Sequence, residues 1–385
     1  MAILIASASC LAQAAGLSEQ ETIRLLVQQV KELQERVNAL DTKQASQPSA
    51  NPDPPALARP LEESASGLPT ELAQKVRGIE WRGFGEVNYK ILDQRTPELG
   101  VHGFVPGSAG NFYTGDFDLF LTSRINDKAS VLSEIVFGEG DAQSFGVDLE
   151  RFLLKYDYND HLKLSFGRYH TGIGYYNTAF HSGKWLQTTA DRPLIMEFAA
   201  HGGVLPTQAI GVSVTGLVPS GRLGLHYLVE YGSSDTIRPD IDGSGVRDDE
   251  NNGNSINVGF FARPDSIRGL QLGTSFYHDK ISYFQLGPSV RLGQTIVNGH
   301  VVYVAHGVEF LNEGFLIRHA FEHSSTSLNT SAFYTQFSKR IGHMRPFFRY
   351  QYINASQRSL FEDVGLRHGP SFGTRYDLND NVALK

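Results

Sequence analysis

The stretch His161–Pro193, HLKLSFGRYHTGIGYYNTAFHSGKWLQTTADRP, decides how this chain is read. Leu162, Leu164 and Phe166 alternate with Lys163, Ser165 and Gly167, the period-two pattern of a half-buried strand. From Thr171 onward the segment neither turns back at once nor follows a helical period. It nevertheless carries histidine, lysine, arginine, aspartate, hydroxyl and aromatic side chains. A catalytic site, a metal site and a pore constriction are the three readings of such a connection.

The rest of the chain extends the strand pattern. VLSEIVF (131–137), RLGLHYLVEY (222–231) and SINVGFF (255–261) alternate in the same way. Tight turns such as Asn126–Lys128, Asn159–Asp160 and Ile341–His343 take turns with long connections, roughly 91–114, 139–146, 171–208, 232–254, 279–294, 322–328 and 355–369. One end of the sheet is therefore plain and the other elaborate, the layout of an outer-membrane barrel with short periplasmic turns and long external loops. Fourteen strands are expected: 79–90, 115–125, 129–138, 147–158, 161–170, 209–218, 222–231, 255–263, 269–278, 295–303, 308–319, 329–340, 344–354 and 370–377. YDLNDNVALK ends four residues beyond the turn Leu378–Asn381, so the chain reads as C-terminally incomplete. Completing it would bring the barrel to about sixteen strands, a size that leaves an aqueous channel. The expected fold class is all-β, a transmembrane antiparallel β-barrel over 79–385.

The two faces of these strands differ. Phe117, Leu119 and Leu121, then Phe152, Leu154, Tyr156 and Tyr158, then Phe348, Tyr350 and Tyr352 form an apolar outer face. Arg124, Arg151, Lys155, Arg345, Arg349 and Arg375 fall on the other face and are expected to line a lumen. Glu86, Asp116, Asp118, Glu134, Glu309 and Glu313 share that face, so net selectivity should be slight. In VEFLNEGFLIRHAF (308–321) both faces carry apolar residues, as if the inner one were covered by an inserted loop or the outer by a neighbouring subunit.

Ahead of the barrel, MAILIASASCLAQAAG has the apolar run and small-x-small pattern of a signal peptide over 1–14, without a basic start. Its Cys10 is the one cysteine, so the mature chain has no disulfides. Ile23, Leu26, Val30, Leu33, Val37 and Leu40 form an a/d seam within a coiled-coil helix at 17–43. Ser18 and Glu21 make a capping box at its start. The Pro/Ala/Ser-rich stretch 44–78 reads as a linker. The negative mean hydropathy and the lack of a long apolar window exclude a helical membrane bundle. The formal charge of −7 argues against nucleic acid as a partner.

The signal, the coiled coil, the linker, the strand IEWRGFGEVNY (79–89), the segment 167–193, VEFLNEGFLIRH (308–319) and GPSFGTRYDLND (369–380) together resemble bacterial outer-membrane porins of the phosphate-selective porin O/P type. The resemblance spans most of 17–385. It implies a homotrimer of sixteen-stranded barrels in the outer membrane, with the third external loop folded into the pore. In the phosphate-selective members a lysine-rich constriction holds the anion. Here the loop 171–208 has Lys184 and Arg192 as fixed cations, with His181 and His201 as additions near neutral pH, opposed by Asp191 and Glu197. Strong phosphate selectivity is therefore not expected. The expected partners are other copies of the chain, outer-membrane lipid and lipopolysaccharide, and small solutes or anions.

The sequence signals for catalysis and metal binding are weaker. Asp191, His181 and Ser182 or Thr188 supply the residue types of a nucleophile relay, but no nucleophile-elbow motif surrounds Ser182. No enzyme and no cofactor is expected. His170, His181 and His201 match no standard metal spacing. The loop 239–254 offers Asp240, Asp242 and Asp248 to calcium, yet Asn251 stands at the twelfth position where the bidentate acid belongs. A solvated acidic loop fits better. A second role, in which the coiled coil tethers the barrel to the cell wall, is open beside the pore.

Overall fold

The structure, a computed structural model, describes residues 79–91, 111–139, 145–180, 185–197, 204–234, 254–283, 290–355 and 364–385. All of them belong to one compact unit, Ala56–Lys385. The signal peptide, the coiled coil, the linker and the calcium candidates Asp240, Asp242 and Asp248 lie outside the described residues.

Fifteen strands form one antiparallel meander in sequence order. They are β1 (Ile79–Lys90), β2 (Asn111–Arg124), β3 (Ala129–Glu139), β4 (Phe145–Asn159), β5 (Leu162–His170), β6 (Gln208–Leu217), β7 (Leu225–Ser234), β8 (Ser255–Ala262), β9 (Leu270–Tyr283), β10 (Val290–Ala305), β11 (Val308–Phe321), β12 (Ser327–Lys339), β13 (Met344–Ala355), β14 (Gly365–Asn379) and β15 (Val382–Leu384). Two short helices, α1 (Tyr175–Phe180) and α2 (Leu194–Glu197), interrupt the connection between β5 and β6. Among the described residues β1 pairs with β2 alone and β15 with β14 alone, so the sheet is not closed by a ladder.

The count exceeds the fourteen expected because Val382–Leu384 already pairs with β14. β9 and β10 also run further than their apolar pattern, pairing out to Tyr283 and Val290. Hydrogen bonding to a neighbour, not side-chain character, sets where a ladder ends. The short turns follow from asparagine chemistry. Asn126 Oδ1 accepts from the N–H of Lys128 at 2.9 Å and of Ala129 at 2.8 Å. Asn159 Oδ1 accepts from His161 N–H at 2.9 Å, and Asn379 Oδ1 from Asn381 N–H at 2.8 Å. Each side chain stands in for a backbone acceptor and closes the chain within a few residues.

The alternation is realised. On β4, Phe152, Leu154, Tyr156 and Tyr158 are exposed while Arg151 and Leu153 are buried. On β11 the buried set is Glu309, Leu311, Glu313, Phe315, Ile317 and His319. Leu316 on the opposite face is 64% exposed, so this strand is apolar on both sides. Its inner side is covered by the connection between β5 and β6. Ile173, Tyr175, Tyr176, Ala179, Phe180, Ile195, Met196, Val204 and Leu205 form one core with Tyr277, Ile281, Leu292, Ile296, Leu311, Phe315, Ile317, Tyr334 and Ile353 from β9 to β13. Removing each large side chain from water contributes about 1.5–3 kcal/mol. That gain holds the segment on the inner face of the sheet.

Candidate functional site

The segment leaves the sheet through a tied neck. β5 and β6 pair to their ends, His170 opposite Gln208. Beyond them, Thr171 N–H donates to the Thr207 carbonyl at 2.9 Å, and Thr171 Oγ1 donates to the Pro206 carbonyl at 2.6 Å. The buried Asn177 amide donates to the carbonyls of Thr171, at 2.8 Å, and Thr207, at 2.9 Å. Both feet of the segment are thus held by one side chain that the segment itself supplies.

Three carboxylates of the wall then hold its polar groups. Glu230 on β7 accepts from Gly172 N–H through both oxygens, at 3.1 and 2.9 Å, and is braced by Asn257 at 2.8 Å. Glu313 on β11 accepts from Tyr175 N–H at 2.6 Å and Tyr176 N–H at 2.9 Å, satisfying the first free donors of α1. The Tyr334 hydroxyl donates to the same carboxylate at 2.5 Å. Gly174 must be glycine: its φ is +81°, and a Cβ there would lie 2.5 Å from Glu313 Oε2. Burial, aided by Glu309 and Glu313, pushes the Tyr175 phenol above its ordinary pKa, so it stays neutral. Glu309 accepts from Thr188 Oγ1 at 3.0 Å and from Gln336 at 2.8 Å.

Three arginines hold the carbonyl side. Arg349 on β13 donates to the Asp191 carbonyl through both terminal nitrogens at 3.1 Å, and also to Thr189 Oγ1. Arg345 donates to Thr188 Oγ1 at 3.3 Å. Arg375 on β14 donates to the carbonyls of Trp185 at 2.6 Å and Gln187 at 3.1 Å, and its guanidinium lies 4.8 Å from the Trp185 ring centroid. Gln351 accepts from Leu194 N–H at 3.1 Å. Hydrogen bonds to ionised groups are the stronger kind, and the three arginines are buried.

The residues singled out in the sequence divide accordingly. Arg345, Arg349 and Arg375 face inward, but they grip the segment rather than open water. Arg151 is buried in an ion pair with Glu134 of β3. Lys155 is half-buried on β4. Arg124 is exposed and bonds the carbonyls of its own turn, Asn126 at 3.3 Å and Asp127 at 3.4 Å. Asp191 offers its carbonyl to Arg349, while its side chain is exposed. His181, Lys184 and His201 lie outside the described residues, as does the side chain of Glu197, the last residue of α2. His170 is buried with Nε2 at 3.5 Å from Glu150.

The opposite wall is acidic. Asp118 on β2 is 1% exposed, and neither of its carboxylate oxygens accepts a hydrogen bond among the described residues. The charges acting on it are Glu134, Asp116 and Glu150 and, from the segment, Arg192. Sequence reasoning missed Glu230, Asn177, Tyr334 and Gln336. For Glu230 a signal existed: it is an acid at the inward position of the alternating run LHYLVEY.

The sequence matches no protein-family model and no curated protein. Among solved structures, OmpF of Salmonella typhi in complex with daunomycin is similar at a TM-score of 0.50 and 13% identity, over 79% of this chain and 87% of that one. The outer-membrane channel DcaP of Acinetobacter baumannii gives 0.49 and 8%, over 80% and 89%. An anion-selective porin from Comamonas acidovorans gives 0.44 and 10%, over 80% and 86%. The OmpF likeness is one of fold alone: the meander has the architecture of a bacterial outer-membrane porin barrel. It does not single out the phosphate-selective type.

Proposed function

We propose that the chain is an outer-membrane pore for passive diffusion of small hydrophilic solutes, narrowed by the segment 171–208. The observation that carries this is the attachment of the segment to the inner faces of β7, β11, β13 and β14, through Glu230, Glu309, Glu313, Arg345, Arg349 and Arg375. A connection anchored at so many points along one wall narrows the path without acting as a mobile lid. The anchors use three cations and three anions, so they add little net field. On β2–β4 Glu134 is paired with Arg151, while Asp118 accepts no hydrogen bond among the described residues and is acted on by Arg192 of the segment, a balance that favours a slight cation preference over phosphate selectivity. His181, Lys184, Asp191, Glu197 and His201 belong to the same constriction in this reading. A homotrimer, and a periplasmic coiled coil ahead of the barrel, complete it.

Refolded full-length chain in planar bilayers should give stable ohmic steps, and the zero-current potential in a salt gradient should lie slightly on the cation side. Bilayers that stay closed at every voltage would remove the pore reading. A strongly anion-selective current would remove the charge assignment.

A further inference from the structure

The outer face of the sheet changes character at β9. The ladders align Val212, Tyr231, Ile256, His278, Thr295 and Arg318 in one outward row across β6–β11. Through β8 this row is apolar, with Tyr231 55% and Ile256 42% exposed. From β9 it is polar and basic. One row toward the long connections, Lys280 faces Gly293, and beyond that stands Arg291. One row the other way, Phe276, Val297 and Leu316 form an exposed apolar band, and Leu272 and Val301 continue it. Successive rows on a strand are about 7 Å apart, so cations and apolar band lie within one lipid's reach.

The Arg291 and Arg318 side chains are exposed, and neither guanidinium makes a hydrogen bond or ion pair among the described residues. Lys280 stands 3.9 Å from Glu322. His278 Nδ1 lies 3.1 Å from Thr295 Oγ1. Among the described residues a Cβ on Gly293 would touch nothing nearer than His278, at 3.4 Å, which leaves room in the middle of the patch. Each guanidinium has donors in the fork geometry that fits phosphate oxygens. Fixed cations bordering an apolar belt do not suit bare hydrocarbon, and they do suit an anionic headgroup whose chains lie on the belt.

We infer that the outer face of β9–β11 binds the phosphate of an acylated membrane lipid. Arg291, Arg318 and Lys280 hold the phosphate around Gly293, and Phe276, Val297 and Leu316 take the chains. The inference rests on the barrel lying in a membrane, and it names a partner for the outer face that the pore itself does not require.

The test uses the full chain in mild detergent, with native mass spectrometry reading bound lipid after addition of diphosphoryl lipid A, its dephosphorylated form, or inorganic phosphate. The Arg291→Ala/Arg318→Ala double variant should lose about thirtyfold in affinity for the diphosphoryl lipid. Arg291→Lys/Arg318→Lys should retain most of it, and heat-modified mobility should show both variants folded. The dephosphorylated lipid should bind no better to wild type than to the double variant, and inorganic phosphate should not compete. Equal retention by the alanine variant, full competition by inorganic phosphate, or a changed oligomer with unchanged lipid would each overturn the inference, the last in favour of a second copy on this face. Bilayer conductance is read in parallel. Normal conductance with no lipid retained overturns the inference and leaves the pore, whereas retained lipid without conductance does the reverse.

Discussion

The guanidinium of Arg349 donates two hydrogen bonds, each of 3.1 Å, to the backbone carbonyl of Asp191. A strand residue thereby fixes the path of a connection that begins far earlier in the chain. Arg349 is 2% exposed and is itself aligned by Gln336 Oε1 at 2.9 Å. Arg349→Ala should free this part of the segment and take a donor from the buried Gln336 Oε1 and from the Asp191 carbonyl. The expected cost is roughly 2–4 kcal/mol in denaturant unfolding from detergent. Single-channel current should become larger and noisier. Arg349→Lys should recover only part of both, because an ammonium cannot reproduce the fork. An unchanged current in the alanine variant would show that the segment does not narrow the path.

Glu313 caps α1 through both oxygens, so one substitution can be graded against another. Glu313→Gln keeps one acceptor for the N–H groups of Tyr175 and Tyr176, whereas Glu313→Ala keeps none. Stability should fall by about 1–2 kcal/mol for glutamine and by more for alanine. Gly174→Ala should copy the alanine phenotype by a separate route, since it combines a φ of +81° with a contact of 2.5 Å to Glu313 Oε2. Unfolding midpoints of the three variants check the order. A wild-type midpoint for Gly174→Ala would contradict the cap geometry.

Asp118 on β2 and Arg192 of the segment act on each other electrostatically. Neutralising them should move selectivity in opposite senses. Asp118→Asn should shift the zero-current potential toward anions and Arg192→Gln toward cations. Each should change the permeability ratio by about two- to fivefold, the Boltzmann factor of one charge at roughly 4–10 Å in water. No shift on Asp118→Asn would mean that this carboxylate carries no charge in the open pore.

Much of this architecture is legible in particular residues. Phe152 to Tyr158 alternate with Arg151, Leu153 and Lys155, and the asparagines at 126, 159 and 379 announce their turns. The inward direction of Arg345, Arg349, Arg375, Glu309 and Glu313 follows from the same parity. What they bind does not. Their partners are mostly backbone groups of 172–191, and a peptide N–H or carbonyl has no signature in the sequence. Arg349 could equally have met Glu309, two strands away, or lumenal water. Only the register of the sheet and the apolar packing of Ile173, Tyr176 and Phe180 bring the carbonyl of Asp191 to it.

The neck offers a test in which charge and shape are separated. Asn177 is 1% exposed, and its amide donates to the carbonyls of Thr171 and Thr207. Both partners are acceptors only. Asn177→Ala removes the donor, taking that partner from the Thr171 carbonyl and leaving the Thr207 carbonyl with the Thr171 N–H alone, at a cost of about 1–3 kcal/mol. Asn177→Asp keeps the volume but places a carboxylate against the same two oxygens. If charged, it is repelled, and if protonated, it has one donor for two acceptors. Aspartate should therefore destabilise more than alanine, although it is the closer isostere. Unfolding in detergent gives the order directly, and single-channel noise should rise in the same order as the feet of the segment separate. Aspartate milder than alanine would mean that Asn177 fills space at the neck rather than tying it.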